Sequence, residues 1–438
     1  MKPRGCERPL QSDLESRKSI EREDQILATY WAPRVVVCRL NFHSVASTVY
    51  ERIFTELLPL GFHCKTGASK WPVFLNSRRP LTELHHRIIL VQAPQAGCMP
   101  DHAFAPTRGL LERWSFDSSH LANRLGDPTE REVLVHIPPE GVHAIDNGVA
   151  LPVIIYLAPF TSSGPARAGW KAFAETIPQR HERLVKDGKM HPSILVMPDT
   201  FTSLGGNQFV NSPVLGQWST WLSHALKPAI VERYATNGKF ALVGKSSGGY
   251  GALVNAMLEP GCWDAIACHS GDVGFDMMFK PTFGETLTHV ASYGSAAAYV
   301  AHVRQSAKLS GPDFHTLMIC AMAASYDPRA PSAENPLGIE LPVQARTGEI
   351  VEEAWNRWME FDPLTMLDAK SKGLSDLTAA WIDCGDRDQY NIQYGSRAFV
   401  DKLSEMGIEH DWEEFSGSHS SIDHRLDLSL PFLSKSLQ

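Results

Sequence analysis

The run Phe240-Ala-Leu-Val-Gly-Lys-Ser-Ser-Gly-Gly-Tyr-Gly251 begins as an apolar strand and ends as a helix, and the turn Gly244-Lys245-Ser246-Ser247-Gly248 has the spacing of a nucleophile elbow. Such a turn holds its central residue in strained backbone geometry. Only small residues two places before and two places after it let strand and helix pack closely, and positions 244 and 248 are glycine. Ser246 would then project from the carboxyl end of a sheet, with a helix N-terminus behind it to favour developing negative charge. Centring the motif on Ser247 would put Lys245 where glycine belongs, so the register selects Ser246. Gly244-Lys245-Ser246 also resembles the end of a phosphate-binding loop. That loop fails on spacing, because the preceding glycine is Gly238, one residue too far upstream, and Lys239–Val243 is an apolar strand.

A serine hydroxyl is a poor nucleophile until a histidine takes its proton, and that histidine needs a carboxylate to fix its tautomer and stabilise the imidazolium. With an elbow serine these partners follow in the order acid, then histidine. After the strand-like Ala379–Asp383 comes Cys384-Gly-Asp-Arg-Asp-Gln-Tyr390, where Asp386 and Asp388 compete for the role of acid and Asp388 is preferred. After the last strand-like segment comes Phe415-Ser-Gly-Ser-His-Ser-Ser421, a Gly/Ser loop that sets His419 where a base must approach Ser246. His424 is expected inside the terminal helix instead.

An oxyanion needs two N–H donors, one from the residue after the nucleophile and one from the loop after an earlier strand. Ser247 supplies the first. The second belongs to Leu157-Ala-Pro-Phe-Thr-Ser-Ser-Gly164, where Pro159 has no N–H, leaving Phe160 or Thr161, with Phe160 preferred. A substrate pocket is expected from Asp199–Asn211, with Asn207 in it, from His269 and Asp272, from Gln389 and Tyr390, and from the long segment 272–377.

These residues need a frame that brings them to one edge. From about Gly109 onward, short apolar runs alternate with helical spacing, the βαβ pattern of a mostly parallel sheet covered on both faces. Strands are expected at Glu132–Ile137, Pro152–Leu157, Ser193–Met197, Phe240–Val243, Ala265–Cys268, Ala379–Asp383 and His410–Phe415. Helices are expected at Trp170–Lys186, Gln217–Tyr234, Gly248–Leu258, Tyr394–Met406 and from about Ser421 to Leu437. Roughly a hundred residues between 272 and 377 interrupt the rhythm and read as a helical cap insertion. Residues 1–105 carry one amphipathic stretch near 35–60 and no chemical motif, and read as a loosely ordered extension or small accessory region ahead of a catalytic domain at 106–438.

The whole chain, 438 residues with 43% hydrophobic and 21% charged residues, has an ordinary globular composition. Its net charge of −8 argues against nucleic acid as a partner and for a small molecule. Residues 1–100 carry +5 of their own, a shift that suggests a boundary near residue 105. No apolar run is long enough for a membrane span. The opening Met1-Lys2-Pro3-Arg4 stays charged through Asp24 and lacks the apolar core of a secretory signal, so a cytoplasmic location is expected. The eight cysteines form no C-x-x-C pair and are expected to be reduced thiols. His85-His86 reads as a surface pair. No histidine cluster has ligand spacing, so neither a metal nor an organic cofactor is expected.

From about Gly109 to the C-terminus the sequence resembles the putative esterase family of α/β-hydrolases, which includes enterochelin esterases, S-formylglutathione hydrolases, feruloyl esterases and the antigen 85 mycolyltransferases. Within it, the sequence looks similar to the enterochelin-esterase-like branch. The resemblance is carried by Gly-Lys-Ser-Ser-Gly-Gly-Tyr-Gly251, Asp-Cys-Gly-Asp-Arg-Asp-Gln-Tyr390, His-Ser-Ser-Ile-Asp423 and Pro198-Asp-Thr-Phe-Thr-Ser-Leu-Gly-Gly-Asn-Gln208. It implies an α/β-hydrolase fold that cleaves a carboxylic ester or thioester through an acyl-enzyme, with Ser246 as nucleophile, Asp388 as acid and His419 as base. Acyl transfer by the same three residues, or a non-catalytic binding protein on this scaffold, are the competing expectations. In one departure, the family's usual His-Gly after the oxyanion strand is Ala158-Pro159 here.

Overall fold

The computed structural model describes residues 104–438. The amphipathic stretch near 35–60 and His85-His86 lie outside the described residues, as does the expected extension up to residue 103.

Strand β3 (Leu151–Leu157) shows why a central parallel sheet forms: its seven residues are apolar and every one is buried. Val153, Ile155 and Leu157 face one core layer while Ile154 and Tyr156 face the other, the period-two alternation of a strand covered on both sides. Its neighbours are β4 (Ile194–Pro198) and β7 (Thr236–Lys245), both parallel to it. The sheet continues through β8 (Ala265–His269), β9 (Ala379–Gly385) and β10 (Asp411–Phe415), all parallel. At the other edge, β2 (Glu130–Ile137) pairs antiparallel with β4, and β1 (Leu110–Asp117) antiparallel with β2. The eight strands run in the order β1-β2-β4-β3-β7-β8-β9-β10, and a two-stranded ribbon, β5 (Asn211–Ser212) and β6 (Gly216–Gln217), stands apart.

Helix α1 (Pro139–Asp146) follows β2, and α2 (Ile177–Lys186) leads into β4. A helical stretch over 218–233, α3, passes through one π-turn before β7. Helix α4 (Ser247–Leu258) springs from the end of β7. Between β8 and β9 lie α5 (Phe275–Met278), α6 (Phe283–Ala291), α7 (Ala296–Gln305), α8 (Gly311–Tyr326), α9 (Glu352–Met359), α10 (Pro363–Lys370) and α11 (Lys372–Ser375). Rings from this insertion interlock with α4: Tyr250 lies 6.1 Å from Phe275 and 6.0 Å from Tyr326, and Tyr326 lies 5.5 Å from Trp358. Helix α12 (Ile392–Glu405) returns the chain to β10, and α13 (Leu426–Ser436) closes the opposite layer with Leu430 and Leu433.

Two expected helix starts are corrected. Helix α2 starts at Ile177 and not Trp170, because Thr176 and Gln179 exchange reciprocal capping hydrogen bonds that fix the first turn. Helix α13 starts at Leu426 and not Ser421, so His424 sits in a short 3-10 turn before it and not inside the helix. β1, β5, β6 and α1 had no sequence expectation; β1 is an edge strand whose alternate residues are exposed, so it shows no apolar run.

Candidate active site

Ser246 stands between β7 and α4 with φ 56° and ψ −127°, a backbone state rare for a residue with a side chain. The strain is held by close packing. A Cβ added at Gly244 would lie 2.3 Å from the Gly248 carbonyl, and one at Gly248 would lie 2.0 Å from the Leu157 oxygen. Ser246 N–H donates to the His269 carbonyl at 2.9 Å, and the Ser246 carbonyl accepts from Tyr250 N–H at 2.8 Å. Gly248→Ala is therefore expected to lower stability by about 1–3 kcal/mol, measured as a shift in denaturant midpoint, since strand and helix must separate to admit the methyl.

Asp388 and His419 arrive from the loops after β9 and β10, neighbours in the sheet. His419 Nδ1 meets Asp388 Oδ2 at 2.7 Å, both residues being buried. With Asp388 ionised, Nδ1 carries the proton and Nε2 is left as the acceptor. The other carboxylate oxygen accepts from Tyr390 N–H at 2.9 Å, which fixes the rotamer. Gln389 Oε1 accepts the His419 N–H at 3.0 Å, and the Tyr390 ring stands edge-on to the imidazole at 4.8 Å. Asp386, the competing carboxylate, instead accepts from Gly417 N–H at 2.9 Å and braces the histidine loop.

Ser246 and His419 line one cavity of about 360 Å³, together with Ser247, Phe160, Gln389 and Tyr390. No hydrogen bond joins Ser246 Oγ to the imidazole, a contact that commonly tightens only once substrate is bound. Ser247 is the first residue of α4, so its N–H has no partner within the helix. Thr161 N–H is already donated to the Gly205 carbonyl at 2.6 Å, which leaves the Phe160 N–H as the available donor of that loop. A Cβ on Gly205 would meet the Phe160 ring at 2.9 Å, so the Gly205-Gly206 pair lets this loop pack closely against Phe160.

Two expected pocket residues lie elsewhere. His269 is buried below the site, with Nδ1 2.8 Å from Asp383 Oδ1 and Nε2 2.8 Å from Ser429 Oγ, tying β8 to β9 and α13. Asp383 also accepts from Arg425 Nε at 2.9 Å and Trp381 Nε1 at 3.0 Å. Burial would raise that carboxyl, but His269, Trp381 and Arg425 together hold it below the usual range. Asn207 is buried as a loop pin, its Nδ2 donating to the Thr200 carbonyl and its Oδ1 accepting from Phe209 N–H, each at 2.6 Å. Neither residue reaches the cavity.

Asp272 does line the cavity, and its Oδ1 is buried without a partner. Burial, reinforced by the nearby Asp388 charge, pushes this carboxyl up to about 8. Because the folded form resists ionisation that the unfolded chain accepts near pH 4, stability is full below that value and declines as pH rises towards 8. Asp272→Asn is therefore expected to gain in unfolding free energy relative to wild type as pH is raised from 4 to 8, by a few kcal/mol, read by denaturant melts across that range.

Reading the sequence around the elbow did not single out Lys245, Arg167, Phe314 or Met318, all of which line the cavity. Phe314 and Met318 come from α8, and Phe314 packs edge-on against Phe160 at 5.7 Å. Only apolar residues at helical spacing marked them, a signal common to any core helix. Among the described residues no group of three or more His, Cys, Asp or Glu could hold a metal ion, and no helix is long and apolar enough to cross a membrane.

A family model described as putative esterase matches residues 125–430. No curated protein sequence matches the chain. Among solved structures, a ferulic acid esterase aligns at 16% identity over 76% of this chain and 100% of its own, with a TM-score of 0.48. The S-formylglutathione hydrolase from Agrobacterium tumefaciens aligns at 14% identity over 76% of this chain and 98% of its own, with a TM-score of 0.45. MPT51 from Mycobacterium tuberculosis aligns at 16% identity over 75% of this chain and 99% of its own, with a TM-score of 0.44.

Proposed function

The chain belongs to the putative esterase family of α/β-hydrolases and is a carboxylic-ester hydrolase, and from that premise we propose that it works through an acyl-enzyme on Ser246. The observation that carries this reading is the buried His419–Asp388 pair at 2.7 Å, facing the same cavity as a serine in elbow geometry.

Ser246 Oγ attacks the ester carbonyl as its proton passes to His419 Nε2, and the imidazolium is stabilised by Asp388. The carbonyl π electrons move to oxygen, which rests on the Ser247 and Phe160 N–H groups. Collapse of the tetrahedral adduct breaks the bond to the leaving oxygen, which takes the proton from His419. Water then attacks the acyl carbon as His419 takes its proton, and collapse of this second tetrahedral adduct breaks the bond to Ser246 Oγ, which recovers the proton from His419 as the acid leaves. Thioesters would follow the same course with a thiolate leaving.

In this reading residues 106–438 are the catalytic domain, about 272–377 form its cap, and residues 1–105 are an N-terminal extension or small accessory region. A cytoplasmic location is part of this reading, as expected from the sequence. The test is turnover of 4-nitrophenyl esters and aryl thioesters, with product analysis in the presence of a competing alcohol. Free acid as the main product supports hydrolysis. A transferred ester as the main product would make the enzyme an acyltransferase, and no turnover would overturn the reading.

A further inference from the structure

Lys245 lies beside the nucleophile, half-buried in the wall of the cavity, and its ammonium makes no hydrogen bond or ion pair. Arg167 lines the same wall, with Nη1 3.4 Å from Asp423 Oδ2 and a buried Nε that has no acceptor. Asp423 is also engaged by Lys171 Nζ at 3.0 Å. One carboxylate therefore faces three cations. The other acids near the wall do not restore balance, since Asp388 is engaged by His419 and Asp272 is held up to about 8 and is mostly neutral near pH 7. Burial and the like charge of Arg167 both push the Lys245 ammonium down, opposed by Asp423 and Asp388.

Two cations sharing a partly desolvated wall, with a single carboxylate that Lys171 also engages, are costly, and an arriving anion relieves both the repulsion and the unmet Arg167 Nε donor. A neutral ester offers them only uncharged carbonyl acceptors, not a charge-assisted contact. We propose that Lys245 and Arg167 form an anion subsite, so that the enzyme acts on esters that carry a second, anionic oxygen group such as a carboxylate close to the scissile bond. The proposal rests on the esterase reading for its placement beside Ser246. It concerns which ester is chosen, while the steps at Ser246 stay the same.

The experiment compares kcat/KM for mono-4-nitrophenyl glutarate with that for 4-nitrophenyl pentanoate, which places the charge on the acyl side. A second pair, 4-acetoxybenzoate and phenyl acetate, places it on the leaving group. One of the charged esters is expected to exceed its neutral counterpart by about tenfold or more, as for a charge-assisted contact. That ratio is expected to fall about tenfold in Lys245→Met and in Arg167→Met, and to invert in Lys245→Glu. Lys171→Met, which removes a cation that does not line the cavity, is expected to leave the ratio within about twofold. Equal losses for charged and neutral esters in the two methionine variants would overturn the proposal and make these cations general oxyanion stabilisers. A wild-type ratio near one for both pairs would also overturn it. Calorimetric titration with glutarate gives a readout independent of turnover: binding weakened by Lys245→Met supports the subsite even if no ester is cleaved, and no binding to wild type counts against it. Absence of turnover with intact glutarate binding would refute the esterase reading alone.

Discussion

Replacing Ser246 with alanine is expected to lower kcat for 4-nitrophenyl ester hydrolysis by about 10⁴-fold or more, with little change in stability. The size follows from the whole mechanism passing through Ser246 Oγ: without it, only binding and the oxyanion donors remain. The elbow keeps its shape because glycines at 244 and 248, and the Ser246 N–H bond to the His269 carbonyl at 2.9 Å, are untouched. Ser247 does not substitute, since its side chain is buried and its Oγ accepts from Gln208 Nε2 at 2.9 Å. Ser247→Ala should therefore affect rate far less than Ser246→Ala, and matching stopped-flow or steady-state assays on the two variants checks it.

Asp388→Asn is expected to cost about 10⁴-fold in kcat near neutral pH, the second of the large effects. Asparagine can offer its amide N–H to His419 Nδ1, which stabilises the tautomer with the proton on Nε2, where no proton can be accepted from serine. It also cannot stabilise the imidazolium. Asp386→Asn serves as the internal comparison. Its oxygen still accepts from Gly417 N–H, the contact that Asp386 makes at 2.9 Å, so a change of less than about tenfold is expected. A pH–rate profile separates the two, since only Asp388→Asn should remove the dependence on His419 acting as a base.

The parts of this molecule legible from sequence were those whose chemistry is local. A Gly-x-Ser-x-Gly turn on a buried strand carries its own strain and its own packing requirement, so Ser246 and the N-terminus of α4 follow from a few residues. Loops after the last two strands could be placed because parallel order sets β9 beside β10. What was misread depends on tertiary distance. His269 sits at a strand end, as a pocket residue would, but its ring is drawn down by Asp383 and Ser429, residues far away in sequence. Asn207 is polar in a loop near the site, yet its amide is consumed by backbone two and seven residues away. Lys245 was seen only as the variable place in the elbow motif. That its ammonium lacks a partner emerges only when Arg167, Lys171 and Asp423 are brought alongside.

The most direct measurement is peptide mapping by mass spectrometry after exposure to a fluorophosphonate, which traps an activated serine as a stable adduct. Wild type is expected to carry one adduct, on Ser246, with none on Ser246→Ala and strongly slowed labelling of His419→Ala. An adduct on Ser247, or labelling that persists in Ser246→Ala, would contradict the assignment of Ser246 as the nucleophile.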